Sequence, residues 1–155
     1  DGSRAFIKNK TGTENYSYQI LLNLSKIDKK NTYIVYLRPE ENTGDNWPKN
    51  FTFKILKWPR LWTQGGLAIQ TFLDPIDVLF VPAHTLPIIR KPDLKTVVTV
   101  HDLGSEYLPT MHQLKQRLYL SLMQQYQLKG ATKLIAVSKA TKEDLVKRLE
   151  IDDKK

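Results

Sequence analysis

Thr96-Val97-Val98-Thr99-Val100-His101-Asp102 joins an unbroken run of β-branched residues to a histidine–acid pair. Side chains stiff at χ1 pack well on a pleated surface and gain little from a helix. The run shows no apolar–polar alternation, so it predicts a strand covered on both faces, as in a parallel sheet lying between helices. Working outward, the same kind of short apolar run recurs at Asp77–Val81, ended by Pro82, and at Lys133–Val137. Further upstream, Thr32–Leu37 and Phe51–Leu56 read as two more strands, with a Pro-, Gly-, Asn- and Glu-rich loop between them.

The intervening segments carry helical periodicity. Tyr16, Ile20, Leu21, Leu24 and Ile27 recur at helix spacing, which predicts a helix over Thr13–Ile27 with Thr11 or Thr13 as its cap. Leu61–Leu73 reads as a second helix weakened by Gly65-Gly66, and Met111–Lys129 as a long one closed by Gly130. In that long helix Leu114, Leu118, Leu122 and Tyr126 are the expected core face. Lys139–Leu149 is the last helix, capped by Ser138. The expected fold class is therefore α/β, a Rossmann-like, doubly wound parallel sheet of one domain over residues 1–155. Such a sheet begins with a strand, whereas Asp1–Gly12 is polar. The first strand is expected just upstream of Asp1, near the centre of the sheet.

Composition narrows the chemistry. The 155 residues include no cysteine, which excludes disulfides, thiolate zinc sites and cysteine nucleophiles within this chain and agrees with a reducing cytoplasm. No apolar run approaches the roughly 20 residues that span a bilayer. The formal charge is +8, from 24 Lys and Arg against 16 Asp and Glu, which suits anionic partners or simply a solvated lysine-rich surface. Nucleic acid is not an expected partner, because no reading helix or aromatic RNA motif accompanies the charge. His84, His101 and His112 lack metal-ligand spacing, and no Gly-x-Ser-x-Gly elbow is present, so neither a metal nor a cofactor is expected.

In open parallel sheets, ligands bind where strands end and helices begin. That rule selects Gly12 and Thr13 before the first helix, His84 after one strand, His101-Asp102 after the next, and Ser138 after the last. His101 can donate to a hydroxyl or phosphate or act as a base, and Asp102 can orient it or bind hydroxyls. Each position also has a plain structural reading, as a turn, a loop or a helix cap. Trp58-Pro59-Arg60-Leu61-Trp62 reads better as aromatic packing on the sheet than as a membrane or base-stacking surface.

Several of these motifs fall in a familiar order. Thr11-Gly12-Thr13-Glu14-Asn15-Tyr16, Val81-Pro82-Ala83, Val98-Thr99-Val100-His101-Asp102-Leu103 and Ala136-Val137-Ser138-Lys139-Ala140-Thr141 make the chain resemble, over essentially its whole length, the N-terminal domain of family-4 retaining glycosyltransferases of the GT-B fold. Where that family often has a second glycine and an arginine, this chain carries Thr13 and Glu14. The resemblance implies transfer of a mannose-like hexose from a nucleotide-diphosphate sugar to a glycan or lipid-linked acceptor. It assigns His101 and Asp102 to catalysis and Gly12, Thr13, His84 and Ser138 to substrate binding. It also implies a C-terminal donor-binding domain, absent from this chain, without which the fragment is inactive. The expected location is the cytoplasm or the inner face of an anionic membrane. A non-catalytic Rossmann-like module for a nucleotide or phosphorylated ligand is the alternative.

Overall fold

The computed structural model describes residues 1–39, 42–44, 46–83, 85–103 and 123–155. Helix α1 (Gly12–Ile27) is followed by strands β1 (Tyr33–Leu37) and β2 (Phe51–Ile55). A π-helical turn, Thr63–Leu67, runs into α2 (Ala68–Leu73). Strands β3 (Val78–Val81) and β4 (Lys95–Val100) come next, then helical residues 123–129 (α3), β5 (Lys133–Ala136) and α4 (Lys139–Leu149). The five strands expected within residues 1–155 are present, and α4 has the expected bounds. For the long third helix only residues 123–129 lie within the described part; Leu114, Leu118 and Leu122 lie outside it.

All strand pairings are parallel, giving a mixed α/β, Rossmann-like architecture. The strands fall into two sheets, β1-β2 and β3-β4-β5, rather than one continuous sheet. Between β1 and β3 the backbone link is the N-terminal pair, with Gly2 N donating to Tyr36 O at 2.9 Å and the Asp1 ammonium donating to Phe80 O at 2.7 Å.

Strand β4 sits deepest, with Val98 and Val100 fully buried, and it anchors a core that takes in Leu79, Val81, Leu86, Leu128, Leu145 and Leu149. Its threonines are also buried. Thr96 and Thr132 exchange two bonds of 3.0 Å between each backbone N–H and the other's hydroxyl, so burial leaves those groups satisfied. A second, aromatic cluster fills the space beneath the N-terminal loop, where Phe6 meets Tyr18, Trp47 and Phe53 edge-on at 5.6–5.9 Å.

Two helix faces differ from the periodicity. In α1 the buried line is Glu14, Ser17, Leu21 and Ser25, while Ile27 is exposed. The serines can be buried because each returns its hydroxyl to its own helix, Ser17 to Thr13 O and Ser25 to Leu22 O, both at 2.8 Å. In α3, Tyr126 is exposed and Gln127 is buried, because the Gln127 side-chain oxygen accepts from Leu86 N at 3.2 Å. The Trp58–Trp62 stretch does pack on the body. Trp62 is buried, and Trp58 lies so close to Gly65 and Gly66 that a Cβ at either position would come within 3 Å of its side chain. The glycine pair is therefore a seat for an indole rather than a helix breaker.

Candidate functional site

The site is built from strand ends. Strand β4 delivers His101 one residue past Val100, and the ring is partly buried. Its Nε2 lies 2.9 Å from Pro82 O, and since a carbonyl only accepts, Nε2 carries the proton of this bond. Pro82 comes directly after β3, so the end of one strand fixes the imidazole of the next. Tyr16 of α1 meets the imidazole edge-to-face at a centroid distance of 4.9 Å, and its hydroxyl lies 3.4 Å from Thr99 Oγ1. The backbone of His101 is tied as well, its carbonyl accepting from Thr141 Oγ1 at 3.1 Å.

That last bond links His101 to Ser138. The Ser138 hydroxyl caps α4 by accepting from Thr141 N at 3.0 Å and lies 2.9 Å from Thr141 Oγ1. Tyr16 of α1 and Pro82 after β3 thus hold the imidazole of His101, while the start of α4 holds its backbone carbonyl. The structure brings together His101, Ser138 and, through Tyr16 one turn along the helix, the Gly12-Thr13 start of α1. Asp102 is exposed beside them. His84 lies outside the described residues.

The start of α1 carries its own anion. Thr11 is the N-cap, and the buried Glu14 carboxylate accepts from the Thr11 backbone N–H at 3.2 Å and from the Thr11 hydroxyl. Arg4 donates to its other oxygen at 3.0 Å. The Thr11 bond, with help from Arg4 and against the opposing effect of burial, holds the Glu14 carboxyl below its ordinary range. A carboxylate therefore already meets part of the positive potential that helix N-termini offer to phosphates. Gly12 faces open space, with no atom within 4 Å of where a Cβ would stand.

Beside this point a cleft of about 790 Å³ opens between the N-terminal loop and the end of β1, lined in part by Lys8, Lys10, Arg38 and Tyr18. Lys10 lies over the Tyr18 ring at 4.9 Å. Sequence reasoning passed over Tyr16, which looked like core, and Thr141 and Arg4, whose roles depend on partners far along the chain. Arg38 was within reach, since it sits directly after a strand and the strand-end rule covers it. Among the described residues no group of three His, Asp or Glu side chains could hold a metal ion, and no helix is long and apolar enough to cross a membrane.

In open parallel α/β sheets ligands lie at the carboxyl ends of the strands, and here His101 and the starts of two helices stand at that place. The family model for Glycosyltransferase Family 4 matches residues 11–155. The chain belongs to that family, and membership places it among domains of sugar-transferring enzymes. Searches of curated proteins and of solved structures each gave no significant match.

Proposed function

We propose that this domain forms the acceptor-side wall of a two-domain, retaining glycosyltransferase of the GT-B type. A C-terminal domain holds a nucleotide-diphosphate sugar, and a hexose passes to a glycan or lipid-linked acceptor lying over the ends of β3, β4 and β5. The observation that carries this reading is His101, its imidazole held by Pro82 O and Tyr16 and its backbone carbonyl by Thr141, at the place where a substrate of an open sheet lies.

In this reading His101 hydrogen-bonds the transferred sugar or its acceptor, and Asp102 binds hydroxyls beside it. Gly12 and Thr13 let backbone approach the substrate. Ser138 borders the site at the start of α4, and His84 is assigned to substrate binding by the resemblance alone. The leaving diphosphate develops negative charge that basic groups and helix N-termini stabilise, mainly in the partner domain. Closure of the two domains excludes water and suppresses donor hydrolysis. The basic surface suits acceptors that bear phosphate or sit on an anionic membrane, at the inner face of the cytoplasmic membrane.

The test is the transfer rate of the two-domain enzyme with His101→Ala. The expected result is a fall of about 100-fold or more in turnover, with a cooperative fold retained and a melting temperature lowered by only the few degrees that loss of the Pro82 bond and Tyr16 contact costs. Turnover near the parent's would remove His101 from the mechanism.

A further inference from the structure

Among the described residues, six of the twelve exposed large apolar side chains fall within Ile55–Leu73. Apolar residues exposed singly need no explanation, but a concentration of them marks a contact surface. Charge is distributed as unevenly. From Asn46 to Leu73 the sequence holds four cationic residues and no acid, although the chain carries 16 Asp and Glu in all.

The backbone gathers these side chains on one face. Ile69, Phe72 and Leu73 stand three and four residues apart and are exposed, while Leu67, Ala68 and Thr71 on the opposite side are buried. Gly65 lies four residues before Ile69, toward the same face, and Trp58 is seated against it, so that a Cβ there would collide with the indole. That packing is one-sided, because Trp58 remains 41 % exposed whereas Trp62 turns inward and is buried. Leu61 stands at the same end, its carbonyl accepting from Gly65 N at 2.7 Å.

Leu61 supplies a second observation. Its φ is +51°, a left-handed conformation that leucine rarely adopts, and its side chain is 77 % exposed. Strain at a residue with little packing to offset it argues for a role outside the fold. Lys57 and Arg60, both exposed, flank Trp58 and Leu61 in the chain. An indole and a leucine between cations suit the headgroup layer of an anionic bilayer, where apolar groups reach the acyl boundary and cations meet lipid phosphates. A second copy related by a two-fold axis would instead bring the same cations together.

We infer that Trp58, Leu61 and the outer face of α2, framed by Lys57 and Arg60, form a docking surface for an anionic lipid bilayer. The surface is tied to the candidate site. Gln64, in the turn after Leu61, donates to Leu86 O at 3.1 Å and accepts from Ile88 N at 2.8 Å. It thereby braces the segment after β3, whose Pro82 carbonyl holds the His101 imidazole. A docked bilayer lies against the same turn, close to where a lipid-linked acceptor is needed. The inference rests on the proposed function for that acceptor alone. Its test reads lipid binding without turnover, so its failure leaves the transferase reading standing.

The experiment is co-sedimentation of the full-length polypeptide containing this chain with phosphatidylcholine vesicles, with and without phosphatidylglycerol. The parent is expected to bind the anionic vesicles at least about 10-fold more tightly than the neutral ones, and to be released as salt rises. Leu61→Asn combined with Phe72→Asn should weaken binding by about 30-fold or more, through lost apolar insertion. Lys57→Gln combined with Arg60→Gln should weaken it by about 30-fold. Both double variants change exposed side chains and should melt within about 2 °C of the parent, since asparagine suits the left-handed position of Leu61. A parent that ignores anionic vesicles would overturn the inference. So would parent-like binding by either double variant, which would put the lipid contact elsewhere. Dimerisation of the parent without vesicles, lost in the Leu61 and Phe72 double variant, would assign the face to a second copy instead.

Discussion

Strands β1 and β4 have similar apolar character and opposite surroundings. Tyr33-Ile34-Val35-Tyr36-Leu37 pairs with β2 on one side and borders a cleft on the other, whereas Lys95-Thr96-Val97-Val98-Thr99-Val100 lies between β3 and β5. The strand paired on both edges ends in the organised site, with His101 held through side chain and backbone. The strand paired on one edge ends in an open basic cleft at Lys8, Lys10 and Arg38. At the end of β4 each paired neighbour adds a contact: Pro82, directly after β3, accepts from the His101 imidazole, and Val137, directly after β5, donates to Val100 O at 3.3 Å.

The most severe way to break the contrast is Val98→Asp. Its side chain is fully buried in β4, and an uncompensated carboxylate there costs more than about 4 kcal/mol, enough to abolish soluble expression. A soluble, cooperatively melting V98D would contradict the central place given to β4. On the β1 side the comparable device is polar. Tyr36 donates to Asp74 at 2.8 Å, and Lys54 of β2 bonds the same carboxylate at 2.8 and 3.0 Å. Asp74→Asn is expected to cost about 2 kcal/mol in a denaturant melt, less than a fully enclosed pair because Lys54 is partly exposed.

The same group sets a pH dependence. Burial pushes the Asp74 carboxyl up, but the bonds from Lys54 and Tyr36 outweigh it and hold it below the ordinary 3.8. A depressed carboxylate contributes stability above its ordinary pKa and loses it as pH falls through the folded value. Melting temperature should therefore drop on acidification below about pH 4 in the parent and drop less in D74N. Parallel curves for the two proteins would remove Asp74 as the source.

Two smaller changes sharpen the site itself. Ser138→Ala removes the cap of α4 and should cost about 1 kcal/mol, measured as a shift in denaturant midpoint. A change below about 0.3 kcal/mol would show that the cap is dispensable. Gly12→Ala meets open space at the first turn of α1 and should stabilise the fold by about 0.5 kcal/mol. If G12A melts higher yet the two-domain enzyme loses transfer, a substrate passes where the new methyl stands; full activity would clear Gly12 of that role.

The strands were legible because β-branched runs such as Val97–Val100 admit few other readings, and Ser138 was legible because capping is a local rule. The face of α1 was not, since burying Ser17 and Ser25 depends on how closely the helix approaches its neighbours. Gln127 was hidden for a similar reason, its partner Leu86 lying 41 residues earlier. At the site, His101 stood out as a polar residue ending an apolar strand. Tyr16 did not, because an aromatic residue at helical spacing looks the same whether it meets core or an imidazole. The anion already seated at α1, Glu14 with Arg4, needs a ten-residue loop to fold back and left no signal beyond first-turn charge.

The proposed division of labour between this domain and a donor-binding partner is tested most directly by calorimetric titration with nucleotide-diphosphate sugars, on this chain and on the proposed two-domain enzyme. The account predicts saturable heat for the two-domain enzyme and none for this chain at millimolar donor. Tight binding by this chain alone would contradict it and place the nucleotide site on these strand ends, as in a non-catalytic binding module.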